Sequence, residues 1–231
     1  EETRTGEYLP VEENERGTFL FNSKDLCMIG HIPDLLDAGI DSLKIEGRMK
    51  NALYVATVAR TYRKAIDDCQ KDPALYEKNM SWYQEQIASC TYRPFTTGFF
   101  YGKPDHESQI YDSNTYIKEY TYLGIVGACR RADYVWEKEN AGRSVAGRAE
   151  KNAGFSGSDG WYSIEQRNKF TVGERIEVMK PDGENIVTSV LGIRDEAGNV
   201  MESAPHPKQK LWVKLGCEAA EYDILRRAER V

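Results

Sequence analysis

The chain has 231 residues, with 31 Lys plus Arg against 37 Asp plus Glu and a formal charge of −6. At 40% hydrophobic and 11% aromatic residues it has an ordinary globular composition, which excludes disorder of the whole chain. No run of about 18 apolar residues exists to span a membrane, and no basic-then-apolar leader precedes the first strand signal. The length predicts one large domain or two small ones.

Charge is unevenly spread. Residues 121–231 balance 17 basic against 17 acidic side chains, and the first fifteen residues hold −5. A strongly basic nucleic-acid footprint is therefore absent, although a local basic patch is compatible with these numbers. Five cysteines, at 27, 69, 90, 129 and 217, are odd in number and irregularly spaced. They form no Cys-x-x-Cys pair, so a zinc ribbon or thioredoxin-type site is not encoded. The expected compartment is the reducing cytoplasm. The three histidines are scattered, and no His-Glu-x-x-His motif occurs.

In chain order, Thr18-Phe19-Leu20-Phe21 predicts a short strand and Asn22-Ser23-Lys24-Asp25 a helix start. Leu26, Ile29, Leu35 and Leu36 recur at helical spacing up to a stop at Gly39. Ser42–Glu46 predicts a second strand. A long helix follows over 51–69, striped by Ala52, Val55, Ala59, Tyr62 and Ile66. Pro73 opens a further helix to Ala88.

After Cys90 the pattern changes to short β-prone runs between Gly, Asn, Asp and Pro. They cover Tyr120–Val126, Tyr134–Trp136, Trp161–Ile164, Arg175–Val178, Ile186–Val190 and Leu211–Leu215. Close strands without intervening helices predict a small antiparallel barrel. The expected organisation is thus an α+β fragment. Residues 1–90 form the end of an α/β (TIM-like) barrel, 91–119 a linker and 120–231 a small antiparallel β-barrel domain. Two parallel strands cannot bury a sheet on both faces, and the chain opens on Glu1. Both points lead to the expectation of a C-terminal piece of a longer protein.

Ligands meet the carboxyl ends of parallel strands. That rule selects Asn22 and Lys24 after the first strand and Glu46 and Arg48 at the end of the second as candidate catalytic residues. Their structural readings compete: Ser23 or Asp25 as a helix cap, and Glu46–Arg48 as an ordinary ion pair. In the second half Arg167, Lys169 and Trp212 supply cations and an aromatic for substrate binding, with Phe170, Lys208 and Lys210 nearby.

The segments Phe21-Asn22-Ser23-Lys24-Asp25-Leu26-Cys27 and Ala38-Gly39-Ile40-Asp41-Ser42-Leu43-Lys44-Ile45-Glu46-Gly47-Arg48-Met49-Lys50 carry a family resemblance. So do Arg93–Phe99, Glu165–Phe170 and Ala204–Pro207. The chain resembles the C-terminal part of peptidase family U32, the collagenase-like peptidases of unassigned catalytic type. The resemblance implies an α/β barrel followed by a small β-barrel. Some members are collagen-degrading peptidases; others take part in hydroxylating uridine in tRNA. In several, cysteines hold an iron–sulfur cluster. That cysteine signature lies upstream of Glu1, and Cys27 matches a ligand position in some relatives. A lone Cys cannot hold a cluster, and a buried Cys27 without a ligand role is the competing reading.

The expectation is a protein of tRNA uridine hydroxylation whose β-barrel assists substrate binding or assembly. The parent protein is the enzyme and this fragment alone is inactive. Expected partners are the upstream barrel of the same protein and tRNA, with no membrane. No cofactor is expected in this fragment, and an iron–sulfur cluster only in the full-length protein. Two alternatives stand: a peptidase whose catalytic machinery lies upstream, and a non-catalytic structural module.

Overall fold

The structure, a computed structural model, describes residues 5–6, 11–15, 17–19, 22–111, 118–131 and 160–229. The chain divides into two compact units, residues 1–44 with 65–118, and residues 45–64 with 119–231.

In the first unit, β1 (Glu12–Asn14) and β2 (Gly17–Phe19) form an antiparallel hairpin. The predicted strand began at Thr18; Leu20 and Phe21 lie outside the described residues. The next segment departs from the expected helix start. Asp25–Leu26 is a strand, β3, parallel to β4 (Phe95–Thr96). The Asp25 carboxylate accepts the Arg93 N–H at 3.0 Å, so it ties two segments together instead of capping a helix. A 3-10 turn at Ile29–His31 then leads into α1 (Ile32–Asp37), which has no side-chain cap. Its end falls where Gly39 predicts it: at φ 74° this glycine lets the Gly39 and Ile40 amides bond back to Leu36 and Leu35.

The strand expected over Ser42–Glu46 is not formed. A strand requires a partner for its ladder, and among the described residues none is paired with this stretch. Asn51 caps the next helix through the Tyr54 N–H at 2.9 Å, and α2 runs from Ala52 to Lys71. The single helix expected over 73–88 is divided into α3 (Pro73–Lys78) and α4 (Met80–Ala88). At the break, Asn79 donates to Asp68 at 2.8 Å, and the buried Tyr83 hydroxyl donates to the same carboxylate oxygen at 2.5 Å. Burial, with Asp68 beside it, pushes the Tyr83 hydroxyl well above its ordinary value. Residues 91–119, expected as a linker, carry β4, a 3-10 turn at His106–Ser108 and a bridge from Gln109 to Ser23. Among the described residues, the backbone of residues 22–27 finds hydrogen-bond partners at Pro94, Thr96, Ser108 and Ile110.

The second unit holds β5 (Tyr120–Arg131), β6 (Gly160–Gln166), β7 (Phe170–Thr171), β8 (Arg175–Met179), β9 (Asn185–Arg194), β10 (Val200–Met201), β11 (Ser203–Ala204), β12 (Lys210–Leu215) and β13 (Ile224–Ala228). Five runs fall where the sequence predicts strands; Tyr134–Trp136 lies outside the described residues. Six strands close an antiparallel barrel in the order β9-β12-β6-β5-β13-β8, with β8 pairing back to β9. Alternation sets the two faces. Along β12, Leu211, Val213 and Leu215 point into a core shared with Leu123, Ile164 and Leu225, while Lys210, Trp212 and Lys214 point out.

Residues 52–64 of α2 cover part of the outer wall. Leu53 packs with Tyr122, Met179 and Ile224, and Arg60 donates to the Lys180 carbonyl at 2.8 Å and to Asn185 at 3.1 Å. On the same wall Arg226, 2% exposed, forms an ion pair with Glu177 at 2.9 Å and lies 3.9 Å from the centre of the Tyr120 ring. Among the described residues no helix is long and apolar enough to cross a membrane. Removing only the cation of this buried pair is expected to be severe. Arg226→Met should lower unfolding stability in denaturant by about 3–5 kcal/mol, with Glu177→Leu in the same chain recovering most of the loss.

Candidate nucleic-acid interface

On the part of the wall formed by β5, β6 and β12 lies a groove of about 410 Å³. Its geometry follows from the register. Trp212 stands opposite Ser163 and Lys210 opposite Glu165, so the large ring faces a small neighbour and has room beside it. Gly127 of β5 lowers the floor, and Gly124, outside the groove, lets β5 approach β6 closely. A Cβ on Gly127 would lie 2.5 Å from the Ser163 hydroxyl, and one on Gly124 would lie 2.9 Å from the Glu165 carbonyl. The far wall is Tyr222, on the turn before β13.

Cations and carboxylates both line the groove. Arg167 pairs with Glu165 at 2.7 Å, with both side chains more than 40% exposed. Such a pair contributes about 0–1 kcal/mol and exchanges readily for another anion. Burial raises the Tyr122 hydroxyl, and Arg167, bonded to it, opposes that shift. A neighbouring hollow shares Glu196 and Lys210 with the groove and adds Lys208 and Asp195. Hydrogen bonds from the Asn199 side chain and backbone hold the Asp195 carboxyl below its ordinary value. Beyond the groove, Trp161 lies over Gly192, with the Arg194 guanidinium 5.1 Å from its ring.

Two residues here have an unusual backbone. Among the described residues, Lys208 (φ 62°) and Tyr222 (φ 75°) are the non-glycine positions in the left-handed region. This conformation costs an L-residue roughly 1–2 kcal/mol. At Tyr222 the surroundings enforce it: its N–H bonds Val126 at 2.8 Å, and Asp223, 1% exposed, takes the Ala220 N–H and Lys180, each at 2.8 Å.

The sequence candidates are distributed as follows. Arg167 and Trp212 line this one groove. Lys169 is exposed and is not among its lining residues; its carbonyl accepts from Arg227 at 3.1 Å. Asn22 and Lys24 belong to the first unit. Asn22 exchanges hydrogen bonds with Ile110 at 2.8 Å, and the Lys24 N–H bonds Ser108. Glu46 and Arg48 are exposed and belong to the second unit. Their contact is not a charge pair: the Glu46 carboxylate accepts the Arg48 backbone N–H at 2.9 Å, closing the turn at Gly47. Gly47 is needed there because a Cβ would lie 2.8 Å from Val55. Tyr222 escaped the sequence reading, since no residue pattern announces a left-handed tyrosine.

Cys27 is half-buried. Among the described residues no three His, Cys, Asp or Glu groups gather as a metal-binding set, so these residues alone do not fit an iron–sulfur cluster.

Residues 1–110 match peptidase family U32, and residues 147–226 match the C-terminal domain of that family. Over 93% of its length the chain is 31% identical to tRNA hydroxylation protein P1 of Bacillus subtilis, of which it spans 44%. It is also 31% identical to tRNA hydroxylation protein P of Escherichia coli, over 93% of this chain and 41% of that protein. A collagenase of Porphyromonas gingivalis is 31% identical over 49% of this chain and 31% of its own length. The chain therefore spans less than half of each of these relatives.

The close approach of β5 to β6 is sensitive to one methyl group. Gly124→Ala must push β5 away from the Glu165 backbone and Ile164, and is expected to lower barrel stability by about 1–3 kcal/mol, read as a fall in melting temperature.

Proposed function

Because the chain belongs to peptidase family U32, we propose that it is the C-terminal part of a protein of tRNA uridine hydroxylation, whose β-barrel contacts the RNA. The observation that carries this reading is 31% identity over 93% of the chain to two proteins named for tRNA hydroxylation, from Bacillus subtilis and Escherichia coli. The groove supports it. Trp212 offers a stacking surface, and Arg167 and Lys210 supply cations beside it, the pairing by which barrels hold single-stranded nucleic acid. Neutral net charge over 121–231 is compatible with this role, because the cations are grouped locally rather than in excess.

The longer relatives also support a place for the first unit at the end of an upstream α/β barrel. Its parallel β3–β4 pair would be the continuation of that sheet. In this reading any iron–sulfur cluster belongs to the upstream part of the cytoplasmic full-length protein, and the 231-residue chain alone is inactive. Asn22, Lys24, Glu46 and Arg48 remain its candidate catalytic residues. A second reading, a peptidase with upstream machinery, is favoured by the similarity to the collagenase.

Nucleoside mass spectrometry of tRNA from a strain lacking the gene tests the first reading. Hydroxylated uridine is expected to disappear, and to return with the intact gene but not with Glu46→Gln or Arg48→Met. Unchanged tRNA in the deletion strain, with loss of gelatin-degrading activity, would favour the peptidase.

A further inference from the structure

We propose that the groove between Trp212 and Tyr222 receives one unpaired base of a single-stranded RNA, a proposal that rests on the barrel's RNA-contacting role. The strained turn carries the argument. Tyr222 holds a left-handed backbone that glycine would adopt without strain, yet the residue is 77% exposed. Packing within the barrel therefore does not explain the ring. Strain enforced around an exposed aromatic at the edge of a cavity is what a ligand-holding residue shows. Lys208, the other left-handed non-glycine position among the described residues, stands on the adjoining hollow.

The charges indicate which part of a nucleotide enters. Glu196 and Glu221 on the groove repel phosphate, and their carboxylates accept hydrogen bonds from the N–H edge of a base. Arg167 and Lys210 on the groove and Lys208 on the adjoining hollow can hold the flanking phosphates. A duplex buries its bases in the stack and offers mainly phosphates and grooves, so this arrangement selects against it.

Fluorescence anisotropy of the 231-residue chain with a labelled single-stranded RNA of about 12 nucleotides, and with a blunt duplex of the same sequence, tests the proposal. The single strand is expected to bind more tightly. Trp212→Leu and Tyr222→Gly should each weaken it about tenfold. Because Tyr222→Gly relaxes the turn, its melting temperature should be equal or higher, which separates lost binding from lost folding. Single-strand binding unaltered in both variants, duplex binding as tight as the single strand, or no binding of either RNA would overturn the proposal. Failure of the hydroxylation reading is seen separately, in the tRNA of the deletion strain.

Discussion

The second unit depends on one closure: β8 pairs with β13 on one side and with β9 on the other, so the six-stranded sheet has no open edge within the ring. Closure satisfies backbone donors and acceptors that an edge would leave exposed, and it separates an inward from an outward face along each strand. Bulges where register shifts, after Val126, Lys214 and Leu225, help the strands to turn. Once the core fills the inside, function is left to the outer wall and its turns.

That wall is used in two ways. Over β8, β13 and part of β5 it meets the first turns of α2, and several charged groups there find partners: Arg226 with Glu177, the Arg60 Nη1 with backbone carbonyls, Lys180 with Asp223. Over β6, β12 and the rest of β5 no such cover is present among the described residues. There Trp212 faces Ser163, and Tyr222 stands on its strained turn. Asp223 joins the two parts, since the carboxylate that pairs with Lys180 also fixes the turn presenting Tyr222.

Local placement, not net charge, is what bears on the choice between RNA and peptide chemistry. The exposed Arg167–Glu165 pair costs little to open, whereas the buried Arg226–Glu177 pair cannot be opened without leaving a charge in the barrel wall. The first is suited to exchange with a ligand, the second to holding the fold.

Local chemistry determined much of this from sequence alone. Short β-prone runs between turn residues marked five barrel strands; the 3.6-residue stripe marked α2; Gly39 and Pro73 marked a helix end and a helix start. Arg167 and Trp212 were legible as candidates because residue type, a cation and an aromatic, is a local property. What escaped depended on distant partners. Asp25 became a strand residue because Arg93 and Pro94 lie beside it, and Ser42–Glu46 has the residues of a strand but no neighbour to complete a ladder. Asn79 split a helix to reach Asp68. Tyr222 entered the groove only because Val126 and Asp223 force a backbone conformation that its own sequence disfavours. Propensity and period are written in neighbouring residues; ladders, enforced strain and shared cavities exist only once segments far apart in the chain have met.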